Sequence, residues 1–158
     1  MENVNQPSNS NIFQVAEIQL SYKSHVKPSM RPAVTCSRDS SEIFRQSWDL
    51  SKLELLEQFK VLFTNRANKV IGIIEISSGG TSATVVDPKL IFVAALKSLA
   101  AGIILCHNHP SGNTNPSQAD IHLTKKIKEG GKLLEILLLD HIIITSESYF
   151  SFADEGLI

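Results

Sequence analysis

The chain has 158 residues, of which 42% are hydrophobic and 20% charged, with a formal net charge of −1; that supplies the core of one domain but no cationic excess to coat nucleic acid. Its two cysteines, Cys36 and Cys106, have no framework spacing, which excludes a disulfide scaffold and points to a reducing cytoplasm. The opening MENVNQPSNSN lacks the basic-then-apolar pattern of a signal peptide, and no apolar run reaches membrane-spanning length, so neither export nor membrane insertion is expected.

Residues 1–11, rich in Asn, Ser and Pro, read as a flexible tail, with a single domain over 12–158. Ile18, Leu20 and Tyr22 recur at period 2 and predict a first strand over Gln14–Tyr22. Residues 23–38 read as an extended loop. Asp39 followed by Glu42 looks like a capping box opening a short helix, with Ile43, Phe44 and Trp48 on its apolar side. The segment 53–65 ends in a strand that turns at Asn65–Asn68, and 69–77 returns, giving a hairpin. Gly79–Gly80 breaks it, and 83–86 is a further short strand. Asp87-Pro88 supplies a cap and a proline at the first helical position. The helix it opens runs over 88–100, buries Ile91, Phe92, Ala95 and Leu96, and stops at Gly102. Residues 103–106 form a short buried strand. After a polar loop, Ser117 caps a helix running to about Lys128, ended by Gly130–Gly131. Residues 136–145 form a central strand, and 149–152 a last one. The order predicts an α/β fold, a mixed sheet flanked by helices.

The chemistry sits in CHNHPSGNTNPSQAD, residues 106–120. His107 and His109 stand at i and i+2 just past a buried strand, so extended geometry sends both imidazoles to one side. Asp120 lies in the first turn of the next helix, three residues after the Ser117 cap, and a helix returning to the strand end brings its carboxylate to the same point. Two nitrogens, one oxygen and a fourth position left for water match catalytic zinc, one ion per chain; structural zinc is closed by four ligands, usually with cysteines. Such an ion activates water and polarises a carbonyl, and a general base is still needed. Ser117, besides capping, is placed to hydrogen-bond a developing oxyanion. Alternation turns Cys106 away from His107 into the core, as an inert thiol. His141, amid apolar residues in LLDHIII, reads as a satisfied core histidine rather than a fourth ligand, with Asp140–His141 available to support the ligands from behind. Pro110, Ser111 and Gly112 shape the turn. Lys125, Lys126 and Lys128 form a solvated helix face, and His25 has no evident partner.

His107, His109, Ser117 and Asp120, in the pattern H-x-H-x7-S-x2-D, resemble the metal motif of the JAMM (MPN-domain) metalloenzymes. HNHPSGNTNPSQAD, with LLDHIII and YFSFADEGLI after it, is similar to the RadC-like bacterial branch over residues 40–158. The resemblance implies a cytidine-deaminase-like architecture and a zinc-dependent peptidase-type hydrolase acting on an amide or isopeptide-like bond of a peptide or protein. It also implies an upstream glutamate as general base, at the start of a strand beside the metal. Glu57, in Glu57-Gln58-Phe59, fits that context; Glu54 and Glu75 are the alternatives. Many JAMM peptidases have Ser or Thr between the two histidines, where this chain has Asn108, as the RadC-like branch does. Longer RadC proteins carry a helix-hairpin-helix segment ahead of this domain, and nothing before residue 40 resembles one. Two other classes compete with the hydrolase. A non-catalytic MPN interaction module is disfavoured by the full ligand set. A DNA-processing factor is disfavoured by the near-neutral charge.

Overall fold

The structure, a computed structural model, describes residues 21–79 and 85–158. Among the described residues the five strands are β1 (Gln58–Thr64), β2 (Val70–Ser78), β3 (Gly102–Asn108), β4 (Leu137–Ile144) and β5 (Tyr149–Ser151), in the order β2-β1-β3-β4-β5. β1 runs antiparallel to β2 and β3, β3 parallel to β4, and β4 antiparallel to β5. The helices among the described residues are α1 (Ser37–Ser47), α2 (Pro88–Lys97) and α3 (Gln118–Leu133), with 3-10 turns at Pro28–Met30 and Leu50–Lys52. This is the mixed sheet flanked by helices that the element order predicts.

Both faces of the inner strands β1, β3 and β4 are covered, so these strands read as nearly continuous apolar runs. One face carries Phe59, Val61, Phe63, Ile103, Leu105 and Leu138, packed against Ile91 and Ala95 of α2 and Ile127 of α3. The other carries Leu62, Ile104, Cys106, Ile142 and Ile144, packed against Phe44 of α1, Trp48 and Leu53. Alternation along β3 therefore puts His107 on the α2/α3 face and Cys106 and Asn108 on the α1 face. Cys106 is fully buried, and that burial pushes its thiol pKa well up, in keeping with an inert core thiol. The β3–α3–β4 crossover joins parallel neighbours, and it brings the start of α3 back to the carboxyl end of β3. Ligand sites of open α/β sheets form at such strand ends.

The β1–β2 hairpin forms as read. Asn65 closes its turn by accepting the Ala67 and Lys69 amides at 2.9 and 3.0 Å through its side chain, and Asn68 takes φ 52°, a conformation asparagine tolerates. Asp87 caps α2 by accepting the Lys89 amide at 2.9 Å, with Pro88 at the first position.

Some of the sequence-based expectations fall outside the described residues, and several element boundaries differ from the sequence reading. The tail over 1–11 and nearly all of the strand expected over Gln14–Tyr22 lie outside the described residues; Ser21 and Tyr22 are in no strand, although the Tyr22 hydroxyl donates to the Ile71 carbonyl. Residues 83 and 84 also lie outside, and Val85 and Val86 are in no strand. The loop over 23–38 contains a 3-10 turn and a bridge from Ala33 to Lys69. α1 starts at Ser37, before Asp39. Asp39 is its third residue and reaches back to accept the Thr35 amide at 2.7 Å and the Cys36 amide at 3.3 Å. α2 stops at Lys97, where Leu99 takes φ 53°, and Leu96 is half exposed. Gly102 ends no helix: it opens β3, where a Cβ would stand 2.7 Å from Thr64 Oγ1 and 2.8 Å from Leu139 Cδ1.

The clearest difference is at Gly130–Gly131, which α3 crosses to reach Leu133. These glycines permit close packing rather than a stop. A Cβ on Gly130 would lie 2.9 Å from the Phe92 ring, and one on Gly131 would lie 2.3 Å from the Ile136 carbonyl oxygen. Gly131→Ala is therefore expected to destabilise the fold by at least about 2 kcal/mol. Gly72→Ala, where a Cβ meets nothing within 4 Å, should stay within about 0.5 kcal/mol of wild type. Urea unfolding of the two variants checks the contrast.

Candidate metal centre

His107 is the last-but-one residue of β3, and its side chain is 1% exposed. His109 follows on the outgoing loop, its amide donating to the Ile144 carbonyl at 3.0 Å and so extending the β3–β4 pairing. The chain then turns at Gly112, φ 79°, where a side chain would be strained. That turn returns the Asn113 carbonyl to 2.6 Å from His109 Nδ1. A carbonyl can only accept, so Nδ1 carries the proton and a neutral His109 presents a bare Nε2.

Asp120 arrives from the other side. Ser117 caps α3 by accepting the Asp120 amide at 3.2 Å, and Asp120 Oδ2 accepts the Ser117 amide at 2.7 Å and its hydroxyl at 2.6 Å. This reciprocal capping box holds the carboxylate, with Oδ1 lying 3.3 Å from His107 Nε2. His107 Nε2 and His109 Nε2 are 3.0 Å apart, and His109 Nε2 is 3.8 Å from Asp120 Oδ2. One ligand atom from each of the three residues lies within 4.8 Å of the others.

These spacings fit a small divalent ion. Metal–ligand bonds of about 2.0–2.1 Å in a tetrahedron separate neighbouring donors by roughly 3.3 Å. The donor set of two imidazoles and one carboxylate suits the same ions, and closely facing nitrogens favour a cation between them. For Asp120, burial pushes the carboxyl pKa up, while the facing His107, when it carries a proton on Nε2, and the two Ser117 hydrogen bonds pull it well below the usual range. The carboxylate is therefore charged and ready to ligate at neutral pH.

The candidate glutamates separate cleanly. Glu57 stands one residue before β1 and is half-buried. By alternation it shares the face of Phe59, and with Phe59, Val86, Ala119, Asp120 and Leu123 it lines a cavity of about 190 Å³. Glu75 pairs with Lys60 across β1 and β2, and its carboxylate accepts the Gln58 side-chain Nε2 at 2.8 Å and lies 4.0 Å from Lys60 Nζ, on the α1 face. Glu54 is exposed on the preceding turn. Ser117 sits where the motif places it, with its hydroxyl proton given to Asp120.

Behind the ligands lie groups that the sequence marked weakly or not at all. His141 is fully buried, faces His107 across the β3–β4 pair and stacks on Phe152 at 4.6 Å. Burial holds its pKa well below the ordinary value, with the neighbouring His107 adding to the effect. Thr124, one turn beyond Asp120, carries no sequence signal other than that i+4 spacing. Asp140 faces away from the ligands, where it accepts the Ser151 hydroxyl at 2.7 Å and the Ala153 amide at 3.0 Å. Lys125 and Lys126 are exposed, as is His25.

Asn108 is fully buried between the two candidate ligand histidines and clamps the segment that carries Glu57. Its Oδ1 accepts the Gln58 amide at 2.8 Å, and its Nδ2 donates to the Leu53 carbonyl at 2.7 Å and the Leu56 carbonyl at 2.9 Å. Asn108→Ala strands all three backbone groups and is expected to cost about 2–4 kcal/mol in urea unfolding. Asn108→Asp, which turns an anion toward two carbonyls, should be no better. A loss below about 1 kcal/mol would show that the clamp contributes little in solution.

With the geometry in hand, comparison with known proteins gives a consistent result. The family model described as "RadC-like JAB domain" matches residues 34–157. A UPF0758 protein of Flavobacterium johnsoniae is 54% identical over 101 residues, covering 64% of this chain and 44% of that protein. A UPF0758 protein of Clostridium botulinum is 35% identical over 149 residues, covering 94% and 64%, and one of Clostridium beijerinckii is 34% identical over 158 residues, covering 100% and 68%. The chain spans about half the length of several such relatives. A family match over most of the chain, including His107, His109 and Asp120, shows that the chain belongs to the RadC-like JAB domain family, the RadC branch of the JAMM (MPN) proteins.

Proposed function

We propose that this domain is a zinc-dependent hydrolase of the JAMM metallopeptidase type, acting on an amide or isopeptide-like bond in a peptide or protein. The observation that carries the reading is the meeting of His107, His109 and Asp120 at one point, with Glu57 lining a cavity shared with Asp120. Zinc held by the three side chains supplies a Lewis acid and an activated water. Zinc is preferred over iron or manganese on ligand type, since imidazole with one carboxylate suits it.

The chain's own residues supply the rest. The Glu57 carboxylate takes the proton of the attacking water and delivers it to the leaving amine. Its half-buried position beside Phe59 and Leu123 limits competing water around that proton. The Ser117 hydroxyl first aims Asp120, and it serves a developing oxyanion only by rotating off Oδ2. Two thiols without a disulfide support a reducing, cytoplasmic setting. No described helix is long and apolar enough to cross a membrane, and the net charge of −1 gives no support to a nucleic-acid partner.

Metal analysis of purified protein should find about one zinc per chain, and His109→Ala should lose it. No metal in wild type, even after zinc is added back, would move the reading to a non-catalytic interaction module. Against a panel of peptide and isopeptide substrates, Glu57→Gln should keep the zinc and lose roughly 10²–10⁴-fold in turnover. Zinc retained with turnover unchanged would remove Glu57 as the base.

A further inference from the structure

The hydrogen bonds behind His107 determine where its proton sits. The Thr124 hydroxyl is 2.6 Å from the Asp120 main-chain carbonyl and 2.7 Å from His141 Nδ1. A carbonyl accepts only, and a hydroxyl has one proton to give. Thr124 therefore donates to Asp120 and can meet His141 only as an acceptor, so His141 Nδ1 carries an N–H. An imidazole sealed from water holds a single proton, which leaves His141 Nε2 bare. His107 Nδ1 stands 2.9 Å from that bare nitrogen and must donate to it. His107 Nε2 is then left with its lone pair facing His109 Nε2 and Asp120 Oδ1.

We infer that Thr124 and His141 are positioning residues that lock His107 in the one neutral tautomer able to ligate a metal, through a hydrogen-bond chain that ends on the Asp120 carbonyl. The inference rests on reading the cluster as a metal site. The circuit is closed, because Asp120 supplies a carboxylate ligand at one end and the terminal acceptor at the other. The opposite tautomer would place an N–H on His107 Nε2, pointing into the ligand cluster. Reaching it requires the Thr124 hydroxyl to turn its proton to His141 Nδ1, leaving two oxygens 2.6 Å apart with no hydrogen between them. His109 is fixed independently, by Asn113, so the lock acts on one histidine alone.

The test is ¹⁵N NMR of histidine side chains in metal-free protein near pH 8, paired with zinc affinity by chelator competition, for wild type, Thr124→Val and Thr124→Ser. Wild type and Thr124→Ser are expected to show His107 protonated on Nδ1 and to bind zinc within a few-fold of each other. Thr124→Val is expected to populate the Nε2–H tautomer of His107 and to lose 10–100-fold in zinc affinity, the usual effect of removing a group that supports a ligand. A wild-type spectrum with His107 protonated on Nε2 overturns the inference, as does a folded Thr124→Val that keeps both tautomer and affinity. If the valine variant does not fold, the wild-type spectrum still decides. If wild type binds no zinc, the metal reading fails, while the tautomer measurement continues to judge the lock separately.

Discussion

The mutual hydrogen bonds of Ser117 and Asp120 fix three things at once: where α3 begins, where the carboxylate points, and how the chain leaves the ligand loop. A capping box normally satisfies amides that a helix start leaves without partners. Here the same carboxylate keeps one oxygen for the cap and turns the other to His107. The site therefore exists only where α3 starts in register with the end of β3. The β3–α3–β4 crossover and the close approach of α3 to Ile136 enforce that register. A helix shifted by one residue would swing Asp120 about 100° off the cluster.

The sheet divides labour by parity. Alternation along β3 sends His107 toward α2 and α3 and sends Asn108 the other way. One strand end thus serves ligand geometry on one face and anchorage of the 53–58 segment on the other. The same parity separates the glutamates, with Glu57 beside Phe59 and Glu75 committed to Gln58 and Lys60 on the α1 face.

Elements with a local cause were legible in the sequence. The Asn65–Asn68 turn, the Asp87-Pro88 start, the Ser117 cap and the two histidines at period 2 all follow from chemistry within a few residues. What misled the reading was tertiary in origin. Gly130–Gly131 looks like a helix stop because glycine so often is one, yet here it is the only residue that lets α3 pass Phe92 and the Ile136 carbonyl. Gly102 looks like a stop for α2 and is instead a strand residue pressed on Thr64 and Leu139. Asn108 stood in view only as a departure from a motif, since its partners are main-chain groups some fifty residues away. Thr124 gave no separate signal, because a threonine one turn along a helix is ordinary until the strand beside it is known to carry His141.

The two histidines of the candidate metal centre are held by different kinds of support. His107 depends on side chains, whereas His109 leans on the main-chain oxygen of Asn113. A main-chain oxygen is present whatever residue occupies the position. Sequence drift at 113 is therefore silent at its ligand so long as the loop keeps its path, while drift at 124 or 141 is heard at once. The support of His107 is thus written in the side chains at 124 and 141, and that of His109 in the loop path that Gly112, at φ 79°, permits.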